Sequence, residues 1–328
     1  MPLGSFTGPP LISRPLKVAP TYAANALPPG NALSAPETGV PVSPRCGRYL
    51  RGAGDERAGG VAGRDCAPRS YRAVLFDQRG CGRSRPLADG PGADLATNTT
   101  GHLVADMERL RNHLGIDRWV VVGVSWGSTL ALVYTQRHPQ RVRGVVLGGV
   151  TAGTRRELTW ITHEMGRVFP AEWEDFVAVV PEAERDGDLA GAYARLLTSP
   201  DGDVREEAAR RWCAWEDTHV SLMPGWTPWP RYDDATFRCV FARLVTHYWS
   251  NDCFLAEHEV VRNMDRIAVV PGVLVHGRYD ISSPLETAWT LHKRWPASRL
   301  AIVRDAGHGG GGFGEALASA IDEMRDLD

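Results

Sequence analysis

The sequence predicts an α/β fold in which helices cover both faces of a mostly parallel sheet and a helical segment is inserted between two parts of that sheet. Apolar, β-branched runs alternate with helical patterns from residue 71 to residue 150. The alternation is lost over residues 151–265 and returns in residues 266–328. Apolar strands that alternate with helices are typical of a parallel sheet buried on both faces.

Residues 1–70 differ from the rest of the chain. They are rich in Pro, Gly, Ala and Arg and show no sustained period of 2 or 3.6. We therefore expect this segment to be poorly ordered, with little regular structure.

The first part of the core is predicted over residues 71–150. Its first strand ends in a glycine-punctuated loop at residues 77–84. Polar residues at 98–100 can cap the helix that follows, which has apolar residues at helical spacing. The expected elements are a strand at Tyr71–Phe76, a helix from Asn98 to Gly115, a strand at Trp119–Val124, a helix at Trp126–Arg137 and a strand at Val142–Val150.

A helical cap is predicted over residues 151–265, and the second part of the core over residues 266–328. Seven of the 11 tryptophans lie in the cap segment, and such an excess suits an aromatic-lined lid over a pocket. The expected cap helices are Glu157–Arg167, Ala171–Val180, Asp188–Leu197, Val204–Thr218 and Asp234–Tyr248. The expected core elements are a strand from Gly272, a helix at Leu285–Arg294, a strand at Arg299–Val303 and a helix at Phe313–Met324.

Composition excludes several classes of function. The net charge of −2 gives no reason to expect nucleic acid or an anionic membrane as a partner. The apolar runs are too short to span a membrane, and residues 1–20 lack the apolar stretch of a signal peptide. The six cysteines have no metal-ligand spacing, so we expect reduced thiols, a cytoplasmic location and no metal.

The most informative motif is Gly-Val-Ser-Trp-Gly at residues 123–127. It follows an apolar strand pattern and opens a helical one, which is the context of a nucleophile elbow. The tight turn strains the backbone of Ser125 and places its hydroxyl at a helix N-terminus, where N–H groups stabilise an anion. Ser125 is therefore the candidate nucleophile, and the backbone N–H of Trp126 is a candidate oxyanion donor.

A serine nucleophile needs a base and an acid that orients the base. Asp280 follows one late strand, and His308 lies in the loop after the next. Because the carboxyl ends of parallel strands meet at one edge of a sheet, Ser125, Asp280 and His308 are expected to converge there. Asp305 is a less suitable acid because it lies too close to His308 in sequence.

Five motifs together resemble the proline iminopeptidase (prolyl aminopeptidase) family of α/β-hydrolases. They cover the chain from about Tyr71 to His308. The resemblance implies the α/β-hydrolase fold and the release of N-terminal proline from small peptides through an acyl-enzyme, without metal or cofactor. The motifs are Asp77–Pro86, Asn98–Thr100, Gly123–Leu130, His276–Asp280 and Ala306–His308.

The resemblance also implies how the substrate's amine is bound. In that family, acidic residues of the cap bind the N-terminal ammonium, and Glu216 in Trp-Cys-Ala-Trp-Glu matches one of them. Val245 stands at the place of a second family glutamate, a difference that weakens the grip on the amine. A general serine esterase or amidase on the same fold therefore remains an alternative.

A second difference lies in residues 1–70, where the family has early strands and a His-Gly-Gly-Pro-Gly oxyanion loop. No histidine precedes His102 in this chain. Aperiodic Arg/Ala/Gly/Pro-rich sequence is what a GC-rich gene gives when read out of frame, so we hypothesise that the true frame resumes just before Tyr71. An unbroken frame in the resequenced 5′ region would contradict this. The chain as written would then lack one oxyanion donor, which leaves an inactive product as a further alternative.

Overall fold

The computed structural model describes residues 16–19, 71–222, 226–325 and 327. Within the predicted N-terminal segment 1–70, Leu16–Ala19 forms a strand. The other predictions made for that segment concern residues outside the described ranges.

The described strands form one parallel sheet in the order β2-β1-β3-β4-β5-β6. The N-terminal strand β1 lies inside this sheet, because it pairs with both β2 and β3. Every described strand thus has its carboxyl end at the same edge of the sheet. The strands are β1 (Leu16–Ala19), β2 (Arg72–Leu75), β3 (Trp119–Val124), β4 (Val142–Gly148), β5 (Gly272–Gly277) and β6 (Ser298–Val303).

Each predicted helix is present, with ends that differ from the predicted ends by a few residues, and a short helix at Glu259–Arg262 was not predicted. The largest difference is in the first cap helix, which ends at Thr162 and continues as a 3-10 turn at Glu164–Arg167. The core helices are α1 (Thr100–His113), α2 (Trp126–Arg137), α9 (Leu285–Lys293) and α10 (Phe313–Glu323). Between the two parts of the core come α3 (Arg155–Thr162), α4 (Pro170–Val177), α5 (Leu189–Leu196), α6 (Gly202–His219), α7 (Ala235–Trp249) and α8 (Glu259–Arg262).

Side chains of each central strand point alternately to the two faces of the sheet. In β3, Trp119 and Val121 pack into the core on the side of α1, α2 and α9, whereas Val120 and Val122 pack against α10. All four are buried, as expected for a strand covered on both faces. The α/β sheet with helices on both faces is thereby confirmed.

The cap has a hydrophobic core of its own. Phe176 stacks on Tyr193 and Trp215, with ring centroids 4.8 and 5.3 Å apart, and Trp212 meets Phe176 edge-on at 5.6 Å. Most of the cap's aromatic surface is therefore used in helix packing.

Asn98 ties the cap to the core. Its side chain donates to the carbonyl of Arg79 (2.9 Å) in the loop after β2. The same side chain accepts a hydrogen bond from the Tyr248 hydroxyl (2.7 Å) on α7. Asn98 is buried, and these two bonds give its side-chain NH₂ and C=O groups partners in place of water. The helix cap itself is Thr99, whose hydroxyl accepts from the backbone of His102.

Four of the six cysteines lie in the described part of the chain. Among the described residues, Cys81, Cys213, Cys239 and Cys253 are free thiols. Within the same residues, no group of three or more His, Cys, Asp or Glu side chains is arranged to hold a metal. No helix of the described ranges is long and apolar enough to cross a bilayer.

The close approach of β3 to α2 predicts a large effect for Gly123→Ala. A Cβ at residue 123 would lie 2.1 Å from the carbonyl oxygen of Gly127, and backbone atoms cannot move away cheaply. Overpacking of this kind costs about 1–3 kcal/mol or more, so we expect a lower free energy of unfolding in urea. Gly314→Ala is the matched control, because its Cβ meets open space in α10 and alanine favours the helix. Equal stability of the two variants would contradict this account.

Candidate active site

Ser125 lies at the turn between β3 and α2 with φ 56° and ψ −128°. A residue with a side chain rarely adopts this backbone conformation, so the surrounding structure must hold it. Its N–H donates to the carbonyl of Gly148 at the end of β4 (2.9 Å). Its carbonyl accepts from Ser128 Oγ (2.6 Å) and from Thr151 Oγ1 (3.1 Å). These three bonds fix both peptide groups of the candidate nucleophile.

Trp126 is the first residue of α2, so its N–H has no partner within the helix and points to the anion-binding end. This is where a donor to a developing oxyanion is needed. The family resemblance implies a second donor within residues 1–70, and residues 20–70 lie outside the described part of the chain.

Asp280 and His308 form the pair that the sequence predicted. His308 Nδ1 lies 2.9 Å from Asp280 Oδ2 and 3.1 Å from Oδ1. The Asp280 side chain is fully buried and also accepts from the backbone N–H of Ser283 (2.8 Å). Burial opposes ionisation of Asp280, but the adjacent His308 lowers the pKa of the carboxyl below its usual value. Burial likewise opposes protonation of His308, yet the Asp280 charge raises the pKa of the imidazole above 6.5.

His276 lies behind this pair, with its Nε2 3.7 Å from Asp280 Oδ2. Its Nδ1 accepts from the backbone N–H of Val150 (3.1 Å), so the ring proton is on Nε2. Nε2 then donates to the carbonyl of Ser283 (2.6 Å), the residue whose N–H holds Asp280. Burial lowers the pKa of His276, which keeps the ring neutral. His276 is a structural partner of the Asp280 turn.

A cavity lies between the core and the cap. Ser125, Trp126 and His308 line it from the core, and Glu216 and Val245 line it from α6 and α7. Asp280 lies behind His308, outside this lining. Within the described residues Ser125 Oγ has no hydrogen-bond partner, and such contacts are often loose without substrate. The cavity therefore brings the predicted nucleophile, base and amine anchor to one space.

Glu216 is buried, with 7% of its surface exposed. No described residue donates a hydrogen bond to its carboxylate, although His219 Nε2 lies 3.2 Å from Oε2. A carboxylate in this position is available to a cationic group that enters the cavity. Of the seven cap tryptophans, all within the described ranges, Trp249 alone lines the cavity. The cap side of the cavity is therefore not lined mainly by tryptophan, as the composition had suggested.

Among the cavity-lining residues that were not site candidates in the sequence analysis, three carry a carboxylate, an amide or an imidazole group. Glu157 is a second carboxylate, but it is saturated by hydrogen bonds from Ala152 N, Thr154 N and Thr287 Oγ1. The pattern Thr154-x-x-Glu157 could have identified it as a helix-capping residue. Gln78 follows β2, and its Oε1 is buried without a partner. His219 is the third. Its position three residues after Glu216, on the same helix face, is the one sequence feature that could have identified it.

The Asp280–His308 pair predicts the pH dependence. His308 acts as a base only when it is neutral, so kcat/KM should fall as the pH drops through its raised pKa, with a midpoint above 6.5. Asp280→Asn removes the charge that raises this pKa, so the midpoint should move to lower pH. The rate should fall about 10⁴-fold because the ring loses its correct tautomer.

Asp305→Asn is the control, since Asp305 is exposed and bonds to the backbone of Gly312 in the same loop. We expect wild-type rate and pH profile for this variant. A profile that is flat from pH 5 to 8 in the wild type, or an Asp280→Asn variant of normal rate, would contradict the assignment.

Comparisons with known proteins agree with the geometry of the site. A family model described as "alpha/beta hydrolase fold" matches residues 58–312. A Streptomyces coelicolor protein named probable proline iminopeptidase is 48% identical over 279 residues, covering 84% of this chain and 86% of its own. A Xylella fastidiosa proline iminopeptidase is 46% identical, covering 74% of this chain and 76% of its own.

The first of these relatives matches more residues than lie between Tyr71 and the C-terminus, so the likeness extends into the first 70 residues. Among solved structures, a proline iminopeptidase from Mycobacterium smegmatis has a TM-score of 0.54 at 19% identity, covering 78% of this chain and 81% of its own. That similarity concerns the fold alone. Because curated relatives at 48% and 46% identity cover most of the sequence, the chain belongs to the proline iminopeptidase family of α/β-hydrolases.

Proposed function

We propose that this protein is a serine aminopeptidase that releases N-terminal proline from small peptides through an acyl-enzyme. One observation carries the proposal: a single cavity is lined by Ser125, by His308 with its buried Asp280, and by the carboxylate of Glu216. An aminopeptidase must recognise an ammonium at a fixed distance from the scissile carbonyl. The names of the relatives support proline as the residue released.

In the proposed mechanism Ser125 Oγ attacks the carbonyl carbon of the first residue, and His308 takes the hydroxyl proton. Asp280 stabilises the imidazolium that forms. The N–H of Trp126 donates to the oxyanion of the tetrahedral intermediate. His308 then gives the proton to the leaving amine, the C–N bond breaks, and the prolyl ester of Ser125 remains. Water, deprotonated by His308, hydrolyses this ester and frees Ser125 and proline.

Glu216 supplies the selection for a free N-terminus in this proposal. The ammonium leaves water when it enters the cavity, and a buried carboxylate compensates for that loss with a charge-assisted hydrogen bond. An acylated N-terminus carries no charge and leaves Glu216 buried without a partner. Selection for a free amine therefore follows from the cost of that unpaired charge.

A general serine esterase or amidase is the second candidate function. Val245 favours it, because this apolar side chain lines the cavity from the same cap as Glu216 and contributes nothing to binding a cation. A neutral acyl group could then occupy the wall formed by Phe241, Leu244 and Val245. We further propose a cytoplasmic location, which the free thiols among the described residues support.

The deciding experiment compares three substrates on the purified full-length protein. A proline arylamide, an alanine arylamide and a simple aryl ester are hydrolysed side by side, with Ser125→Ala as the blank. We expect turnover that depends on Ser125 and prefers the proline arylamide. Ester turnover alone would support the general hydrolase. No turnover of any substrate by soluble protein would contradict both functions and support an inactive product.

Glu216→Gln tests the amine anchor. The variant keeps the shape and loses the charge, so KM for the proline arylamide should rise about tenfold to a hundredfold, the range for a hydrogen bond to a charged group. Hydrolysis of an aryl ester without an amine should be unchanged. Asp203→Asn is the control on the same helix, because its side chain is exposed and does not line the cavity. An unchanged KM in Glu216→Gln would remove Glu216 from the proposal.

A further inference from the structure

His219 is an anomaly of the cap interior. It is the last residue of α6, is 2% exposed and lines the cavity together with Ser125 and Glu216. Neither ring nitrogen has a hydrogen-bond partner among the described residues. A buried polar atom without a partner costs about 1–3 kcal/mol, and folded proteins contain few of them. An imidazole with two such atoms in a substrate cavity therefore calls for a functional explanation.

The neighbours of His219 leave the ring uncommitted. Its Nε2 is 3.2 Å from Glu216 Oε2, as expected for side chains three residues apart on one helix face. Nε2 has no hydrogen-bond partner, so this close approach lacks the alignment of a hydrogen bond. The ring meets Trp215 edge-on, with centroids 6.1 Å apart. A neutral imidazole in this position still offers one lone pair and one N–H.

The cap side of the cavity offers no further free side-chain acceptor near Glu216 among these wall residues. Glu157 is already engaged by three donors, and Phe241, Leu244 and Val245 are apolar. The unpartnered Gln78 Oε1 belongs to the core wall, in the loop after β2. The secondary ammonium of an N-terminal proline carries two N–H groups. Since Glu216 Oε2 and His219 Nε2 are 3.2 Å apart, one nitrogen can lie within hydrogen-bond distance, about 2.9 Å, of both.

We propose that His219 is a specificity-determining residue that accepts the second N–H of the substrate's N-terminal ammonium, beside Glu216. The inference rests on the proposed aminopeptidase function. Glu216 balances the positive charge, and a ring nitrogen of His219 supplies an acceptor that adds no second carboxylate to the buried site. Two acceptors of this kind match the two N–H groups of a secondary ammonium. The second acceptor compensates for the carboxylate that is missing at Val245.

The test uses two substrates that differ only at the amine. A proline arylamide is compared with the arylamide of cyclopentanecarboxylic acid, which has the same ring without the nitrogen. His219→Phe keeps a flat ring and removes the acceptor. We expect KM for the proline arylamide to rise about tenfold to a hundredfold with little change in kcat. The slow hydrolysis of the cyclopentane compound should be unchanged, so discrimination falls by the same factor.

His219→Gln keeps an acceptor and should retain most of the wild-type discrimination. His163→Phe is the matched control, because His163 is a cap histidine whose Nε2 is also buried without a partner but which does not line the cavity. It should leave both substrates unaffected. Equal losses on the two substrates in His219→Phe, an unchanged KM, or a Gln variant as poor as Phe would each overturn the inference.

Binding separates this inference from the proposed function. In the Ser125→Ala background, calorimetry can measure the Kd of L-prolinamide and of cyclopentanecarboxamide without turnover. We expect His219→Phe to weaken prolinamide binding about tenfold or more and to leave the neutral amide unaffected. If the wild type hydrolyses no prolyl substrate, the proposed function fails, while equal binding of prolinamide to both proteins would overturn the role of His219.

Discussion

The backbone of Ser125 is the constraint on which the site depends. Strand β3 and helix α2 come so close that Gly123 has no room for a Cβ, and this approach leaves the intervening residue at φ 56°. The conformation is held by hydrogen bonds to Gly148, Ser128 and Thr151. Strain at this position is the cost of presenting a hydroxyl at a helix N-terminus, and the buried sheet around it supplies the stability that offsets it.

The other groups are positioned by the same edge of the sheet. Asp280 and His308 follow β5 and β6, and Gly277 allows the two loops to come together, because a Cβ there would lie 2.0 Å from the carbonyl oxygen of Gly307. Behind them His276 fixes the Asp280 turn by bonding to Val150 and Ser283. The cap contributes the opposite wall, with α6 presenting Glu216 and His219. In the proposed mechanism the core thus provides the reactive groups, and the cap provides the groups that select the substrate.

Much of this arrangement follows from local sequence. The elbow glycines, the apolar strands and the polar residues after β5 and β6 each have a short-range cause, so β3, α2 and the Asp280–His308 pair could be predicted from the sequence. The hydrogen-bond state of Glu157 and of His219 in the cavity could not, because it depends on which partners long-range packing brings. Glu157 accepts a hydrogen bond from the Thr287 hydroxyl on α9, whereas the ring nitrogens of His219 have no hydrogen-bond partner. The same holds for Trp212 and Trp215, which composition suggested for a lid and packing places in the cap core.

A covalent prolyl ester of Ser125 is the central intermediate of the proposed mechanism. Mass spectrometry of protein quenched in acid, shortly after mixing with an activated proline ester, tests it most directly. Acid protonates His308, so the water that would clear the ester is no longer deprotonated. We predict an adduct with the mass of one prolyl residue on the peptide that contains Ser125, and none in Ser125→Ala. An adduct on another side chain, such as the cavity-lining Cys253, or turnover with no adduct, would contradict the mechanism.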